Sequence, residues 1–161
     1  MNLKISILSA LAIILLVSCD EKRVFDEYKS VGNSWQKDSI VTFNFKETDT
    51  TKLYNLFINI RNNNDYQFNN LYLIVSMERP GGMVKTDTLQ YQMTNPDGTL
   101  LGEGFSDIKE SKLFYKEKIR FNKAGDYEVR IQHAMRKTGI VTGVEALEGV
   151  TEVGFRIESI E

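Results

Sequence analysis

Hydrophobic and polar residues alternate along most of the chain after residue 40. In "IVTFNF" (40–45), Val41, Phe43 and Phe45 fall on one side of an extended backbone. The segment "YNLFINIR" (54–61) repeats the same period of two. This period is typical of a β-strand with one buried face. The pattern therefore predicts that the region is built from strands.

Four later segments extend the β pattern. "LYLIVSM" is apolar on both faces, as in a central strand. "EKIRFNKAGDYEVRIQHAM" predicts a hairpin that turns at "NKAGD", and two other segments alternate in the same way. In chain order the four segments are residues 71–77, 84–93, 117–135 and 150–158.

Turn residues separate these strands. "PGG" (80–82) and "NPDG" (95–98) predict turns, the second of them in a hairpin. "TLLGEGF" (99–105) predicts a short strand, whose two glycines mark a bulge or a close backbone contact. Residues 106–116 are ambiguous and can form a helical turn.

About eight strands, with turns every 8–12 residues and no long amphipathic helix, indicate an all-β fold. We expect an antiparallel β-sandwich that is either immunoglobulin-like or jelly-roll-like. Tyr127 follows "AGD" at the start of a strand, which resembles the tyrosine corner of immunoglobulin-like sandwiches. This feature supports the architecture and does not indicate a function.

The N-terminus has a different pattern. Lys4 is followed by the uncharged residues 5–18, too short for the roughly 20 residues that span a bilayer but suited to a signal peptide. "LVSC" (16–19) resembles the bacterial lipobox, in which the cysteine is acylated. The alternative is an ordinary secretory signal with Cys19 unmodified in the mature chain.

The interpretation of residues 16–19 as a lipobox divides the chain into three parts. We expect residues 1–18 to be a lipoprotein signal peptide that is cleaved after Ser18, which leaves Cys19 as the lipid attachment site. Residues 19–38 are polar with scattered apolar residues and are predicted to be a lipidated tether. Residues 39–161 are predicted to form the sandwich.

Composition excludes several classes of function. Hydrophobic residues make up 42% and charged residues 26%, as in a globular protein. The formal net charge of −2 offers no basic field for nucleic acid. With one Cys and one His, the chain has no internal disulfide and no Cys/His zinc cluster.

No motif predicts catalysis. His133 is in phase with Tyr127, Val129 and Ile131, so we expect it to be a buried structural residue. A hydrolase built around His133 is the alternative, but no nucleophile, calcium-loop or phosphate-loop motif accompanies it. We predict no catalytic residue, metal site, cofactor or small-molecule substrate.

Aromatic residues indicate a different alternative, a carbohydrate- or peptidoglycan-binding module of the cell envelope. Aromatic side chains stack on sugars and also anchor protein contacts. Most aromatics of a sandwich lie in its core, so we expect only one or two to be exposed for binding. The candidates are Trp35, Tyr28, Tyr66, Tyr72 and Tyr91.

A series of short blocks resembles the gliding motility lipoprotein GldH family of Bacteroidota and covers nearly the whole mature chain. Leu100 departs from the aromatic residue expected before "LGEG", so we expect no aromatic binding residue there. The blocks are "RVFDEYKSV" (23–31), Trp35, "YNLFINIRN" (54–62), "NLYLIV" (70–75), "DTLQ" (87–90), "LGEG" (101–104), "GDYEVRIQHAMR" (125–136) and "VGFRIE" (153–158).

The resemblance implies a lipid-anchored, non-enzymatic component of the gliding machinery that is linked to type IX secretion. Other envelope proteins are the implied partners, and the outer membrane is the implied location. Asp20 directly after the cysteine fits inner-membrane retention, whereas the pair Asp20-Glu21 fits a surface-export signal, and the leaflet stays open. We expect the loops 62–70 and 137–149 to make the contacts, because long loops often carry function.

Overall fold

The computed structural model describes residues 20–160, which form ten β-strands and no helix. Two four-stranded antiparallel sheets have the orders β1-β10-β4-β7 (sheet I) and β3-β8-β5-β6 (sheet II), and β2 pairs with β9. The strands are β1 Arg23–Ser30, β2 Ser34–Gln36, β3 Val41–Glu47, β4 Tyr54–Asn62, β5 Asn70–Glu78, β6 Val84–Gln92, β7 Lys109–Ile119, β8 Gly125–His133, β9 Ala146–Glu148 and β10 Val150–Ser159.

The eight long strands have the connectivity of a jelly roll. The chain passes from one sheet to the other at every connection between them except the β5–β6 hairpin. Two interleaved four-stranded sheets of this kind define the double-sheet jelly roll. The predicted antiparallel sandwich is therefore confirmed, and the strand order is that of the jelly-roll alternative.

The core fills the space between the two sheets. Leu71, Leu73 and Val75 alternate along β5 with no exposed area, and they face Ile58 and Phe155 of sheet I within one hydrophobic cluster. Burial of each large apolar side chain contributes about 1.5–3 kcal/mol. The period of two in the sequence thus arises because every second residue of these strands is buried in this core.

Tyr127 makes the hydrogen bond of a tyrosine corner. Its hydroxyl donates to the carbonyl of Lys123, four residues upstream, at 2.7 Å. The ring is buried and stacks on Phe45, with centroids 5.4 Å apart. The predicted corner is present, here in a jelly roll.

The sandwich includes residues N-terminal to position 39. β1 pairs with β10 from Arg23 to Ser30, and β2 pairs with β9 through Trp35 and Leu147. Most of the predicted tether therefore lies within the fold. The sequence pattern missed β1 because it is an edge strand with only half-buried apolar residues, such as Phe25.

Two other predictions need correction. Residues 99–105 form isolated bridges and not a strand, although the turn at 95–98 is present, with Asn95 N–H bonded to Thr99 O at 2.8 Å. Residues 106–116, whose sequence pattern is ambiguous, form no helical turn, because the edge strand β7 (Lys109–Ile119) begins within them. Polar residues occur on both of its faces, which conceals the alternation.

The two glycines of "LGEG" mark a close backbone contact, as predicted. A Cβ at Gly102 would lie 2.6 Å from the carbonyl oxygen of Glu110. A Cβ at Gly104 would lie 2.3 Å from the carbonyl oxygen of Ile108. The 93–108 connection thus folds back on the start of β7 at a distance that excludes side chains.

Candidate functional site

The two ends of the sandwich differ in what they carry. The first and last residues of the described chain meet at one end, which we call the terminal end. There, Ser159 N–H donates to Lys22 O at 2.8 Å. Its connections are short: residues 48–53, 79–83 and 120–124. The opposite end, the loop end, carries the two longest connections. Its four connections are residues 31–40, 63–69, 93–108 and 134–149.

Strand β10 runs from one end of the sandwich to the other, so its length gives the distance between them. It begins with Val150 at the loop end and finishes with Ser159 at the terminal end. At about 3.3 Å per residue, its ten residues span roughly 30 Å. Cys19, the predicted lipid attachment site, lies outside the described residues, but Asp20 lies at the terminal end. The loop end is therefore about 30 Å from the residue that follows Cys19.

Asp20 is attached to the sandwich by Arg156. The guanidinium of Arg156 bonds the carboxylates of Asp20, Asp26 (2.7 Å) and Glu158 (2.6 Å). Burial opposes its charge, but the bonds to Asp20 and Glu158 outweigh this and raise the pKa of Arg156 above its ordinary value. The first described residue is thus bonded directly to the fold.

Two loops converge on a cleft at the loop end. The cleft has a volume of about 340 Å³, and its lining includes Asp65, Phe68, Ile140, Val144 and Glu148. The sequence predicted that the loops containing these residues make contacts, and the structure brings the two loops together. Beside the cleft, Val141 is 86% exposed and its neighbour Ile140 is 50% exposed.

Gly149 joins the loops that form this cleft. Its N–H donates to Asn33 O at 3.1 Å, and its carbonyl accepts from Asn63 N–H at 2.8 Å. Its φ is +84°, and a Cβ at this position would lie 2.2 Å from the backbone nitrogen of Tyr66. Both the backbone conformation and the space therefore require glycine.

His133 is buried beneath the loop end, as predicted. It is 2% exposed, and its Nε2 lies 3.0 Å from the carbonyl oxygen of Trp35. Burial lowers the pKa of His133 below its usual range. Its Nδ1 has no hydrogen-bond partner within residues 20–160. In this position the histidine joins β8 to β2, and no carboxylate among residues 20–160 is hydrogen-bonded to its ring.

The five aromatic candidates do not form one cluster, although Tyr72 and Tyr91 line the same cavity. Trp35 and Tyr66 are buried. Tyr91 packs on the core and donates its hydroxyl to Phe114 O, while Tyr28 donates to Glu110 on the outer face of sheet I. Only Tyr72 combines an outward position with a hydroxyl that no residue in 20–160 bonds.

Sequence reasoning missed a polar network on the outer face of sheet I. Arg61 bonds Glu152 at 2.7 Å and Glu110 at 2.6 Å, and these bonds raise its pKa. The period of two places Arg61 on an outward face, but only the strand order shows which carboxylates it meets. The network covers the sheet face that carries Tyr28 and Arg156.

Other chemistry is limited in the part of the chain that the structure describes. No three His, Cys, Asp or Glu side chains in that part are arranged to hold a metal ion. None of its segments forms a helix that is long and apolar enough to cross a membrane.

These features define a jelly-roll domain with its termini at one end and a loop cleft at the other. The chain belongs to the GldH lipoprotein family, whose model matches residues 23–157. It is 63% identical over 158 residues to the gliding motility lipoprotein GldH of Flavobacterium johnsoniae, covering 98% of each chain. It is 58% identical over 146 residues to the GldH homolog of Christiangramia forsetii, covering 91% of this chain and 90% of that one.

The family assignment confirms the resemblance in the sequence blocks. The chain is a gliding motility lipoprotein, and lipoproteins are anchored to membranes of the cell envelope.

Two solved structures show lower similarity. They are the VP2 subviral particle of infectious bursal disease virus, at 12% identity, and a fructofuranosidase of Schwanniomyces occidentalis, at 11% identity. Each has a TM-score of 0.41 and matches 87% of this chain. The chain spans about a third of the length of either structure, 34% in both cases.

Substitution of Gly149 tests the junction of the loops. We expect Gly149→Ala to lower the free energy of unfolding by about 1–3 kcal/mol, because it adds a strained φ to the clash with Tyr66. Chemical denaturation measures this change. Gly32→Ala is the matched control, since Gly32 also has a positive φ (+83°) but no atom within 4 Å of its added Cβ. Equal losses in the two variants would contradict the contact with Tyr66.

The lowered pKa of His133 predicts a dependence of stability on pH. Below about pH 6.5, His133 is protonated in the unfolded chain but stays neutral in the folded one. The free energy of unfolding therefore falls by up to about 1.4 kcal/mol per pH unit as the pH is lowered. Above that pH the contribution is fully present. Denaturation curves of the wild type and His133→Gln between pH 5 and 8 measure it. Parallel pH profiles for the two proteins would show that His133 is not responsible.

Proposed function

We propose that this protein is a non-enzymatic structural component of the gliding machinery, anchored in the outer membrane through lipid on Cys19. In this proposal it presents its loop end to other envelope proteins, including those of type IX secretion. The observation that carries the proposal is the position of Asp20, held at the terminal end, opposite the loop cleft. The relatives of this chain are named gliding motility lipoproteins, which supports the link to gliding.

The geometry gives the anchor a direction. One acyl chain binds a membrane marginally and two bind it stably, so a lipidated Cys19 would hold the adjacent Asp20 close to the bilayer. Arg156 joins Asp20 to the sandwich without a flexible spacer. The terminal end then faces the lipid, and the loop cleft projects about 30 Å into the aqueous phase.

The loop end offers a surface suited to a protein partner. Val141 and Ile140 expose apolar area beside the cleft, and Phe105 is fully exposed at the same end. Clusters of exposed apolar side chains with polar surroundings are typical of protein interfaces. The buried position of His133 favours this structural role over the hydrolase alternative.

Removal of the anchor tests the first half of the proposal. We expect Cys19→Ala to leave a soluble or unprocessed protein, and a strain that carries it in place of the wild type to lose gliding. Membrane fractionation and colony spreading measure the two effects. Lys22→Ala, which changes a nearby residue and keeps the cysteine, is the control and should remain in the membrane fraction. Normal fractionation of Cys19→Ala would refute lipid anchoring at this residue.

Substitution of Val141 tests the second half. We expect Val141→Asp to stay folded and membrane-bound but to lose gliding and its crosslinks to envelope partners in intact cells. A buried charge in an interface costs several kcal/mol, on the order of 2–5. The matched control is Val84→Asp, an exposed valine (48%) near the terminal end. Wild-type gliding in Val141→Asp, or equal loss in both variants, would contradict a partner at the loop end.

A further inference from the structure

The outer face of sheet II forms a polar surface next to the loop end. Along β5 the inward residues are fully buried, whereas Tyr72, Ile74 and Ser76 point outward. Their partners on β6 are Gln90, Thr88 and Thr86, so amides and hydroxyls surround Tyr72. Unlike the outer face of sheet I, the part of this face around Tyr72 has no network of ion pairs within residues 20–160.

Tyr72 is exceptional among the seven tyrosines of the chain. The other six hydroxyls bond a carboxylate or a backbone carbonyl, as those of Tyr66 and Tyr115 do. No residue within 20–160 bonds the hydroxyl of Tyr72. The fold therefore leaves the polar edge of this ring available to a ligand.

The neighbours of Tyr72 also have unused hydrogen-bonding groups. Gln90 lies directly opposite it on β6, and Gln132 lies diagonally across on β8. Neither amide side chain has a hydrogen-bond partner among the described residues. Because adjacent strands are about 4.8 Å apart, the two amides flank the ring on opposite sides.

Two hollows meet at Tyr72. One has a volume of about 1280 Å³ and extends past Gln90 to the 95–98 turn. The other has a volume of about 360 Å³ and extends past Gln132 to Lys37. Since Tyr72 and Arg136 line both hollows, they form one elongated groove.

The groove is more basic than the chain as a whole, whose net charge is −2. Arg136 and Lys137 are exposed, and neither makes an ion pair within residues 20–160. The carboxylate of Asp97 in the same hollow accepts bonds from the N–H and hydroxyl of Thr99, which leave it ionised. Arg136 and Lys137 outnumber this carboxylate, so the larger hollow is net cationic.

We propose that this groove binds an acidic polysaccharide. A sugar ring has an apolar face of C–H groups, which packs on an aromatic ring, and hydroxyls at its edge, which amides bind as both donor and acceptor. Tyr72 supplies the ring, Gln90 and Gln132 the amides. Arg136 supplies the planar fork of donors that matches a carboxylate. This inference rests on the proposed function only for the location of the protein in the cell envelope, where such polymers occur.

Affinity electrophoresis of the full-length protein, purified in detergent, tests the proposal. We expect polygalacturonate or alginate in the gel to retard the protein, and neutral dextran to retard it less. Tyr72→Ala should weaken binding about 30-fold, as loss of a central aromatic anchor does. Tyr72→Phe, which keeps the ring and removes the hydroxyl, should weaken it about two- to tenfold. Arg136→Ala should remove the preference for the acidic polymers.

Asn44→Ala is the matched control, because Asn44 is an outward amide of sheet II that lies outside the groove. Every variant must keep the thermal unfolding midpoint of the wild type for its binding to be compared. No retardation by either acidic polymer, or equal binding by Tyr72→Ala and the wild type, would overturn the site. Equal retardation by dextran would overturn the acidic preference. Because binding is measured on purified protein, failure here is distinct from failure of the anchoring or gliding tests.

Discussion

The pairing of β10 between β1 and β4 is the constraint on which the rest of the structure depends. It joins Arg23–Ser30 to residues more than a hundred positions later in the chain, and it fixes the terminal end. Without β10, the first strand would be the loose tether that its sequence suggests. With it, Asp20 lies on the sandwich, and the connections that leave β1, β4 and β8 all emerge at the opposite end.

This pairing also has a consequence for the order of folding. Among residues 20–160, β1 pairs with β10 and with no other strand, and β10 is the last of the ten strands along the chain. Pairings between such distant segments close slowly, because the entropy of loop closure is lost before contacts compensate for it. Strand β1 therefore joins its sheet only after β10 is available.

The ionic contacts of sheet I set geometry more than stability. The side chains of Arg61, Glu110 and Glu152 are each about one-third exposed, at 33–37%. Pairs with this exposure contribute roughly 0–1 kcal/mol each, since water and salt screen them. Their effect is to hold the strands in register, while the buried apolar cluster supplies most of the stabilisation.

Much of the fold was predictable from alternation, because central strands carry one apolar face. This succeeded for β4, β5, β8 and β10, which lie inside their sheets, and also for the two edge strands of sheet II, β3 and β6. It failed for the edge strands β1 and β7, whose apolar residues are only partly covered and whose polar residues occur on both faces.

The site was less predictable than the fold. Tyr72 and Tyr91 look equivalent in the sequence, but they lie on opposite faces because β5 and β6 pair Tyr72 with Gln90 and Leu71 with Tyr91. A pairing register is a property of two strands together, so no single segment reveals it. The meeting of the 63–69 and 134–149 loops has the same origin, since it follows from strand order.

The loop cleft and the polysaccharide groove are adjacent and share residues. Phe68, Lys137 and Ile140 line both cavities. A partner that covers Ile140 at the cleft therefore also closes one side of the groove, and a polymer in the groove restricts the same loop. Under the two proposals, any coupling between the surfaces changes both affinities by the same factor, because the coupling free energy between two binding sites is reciprocal.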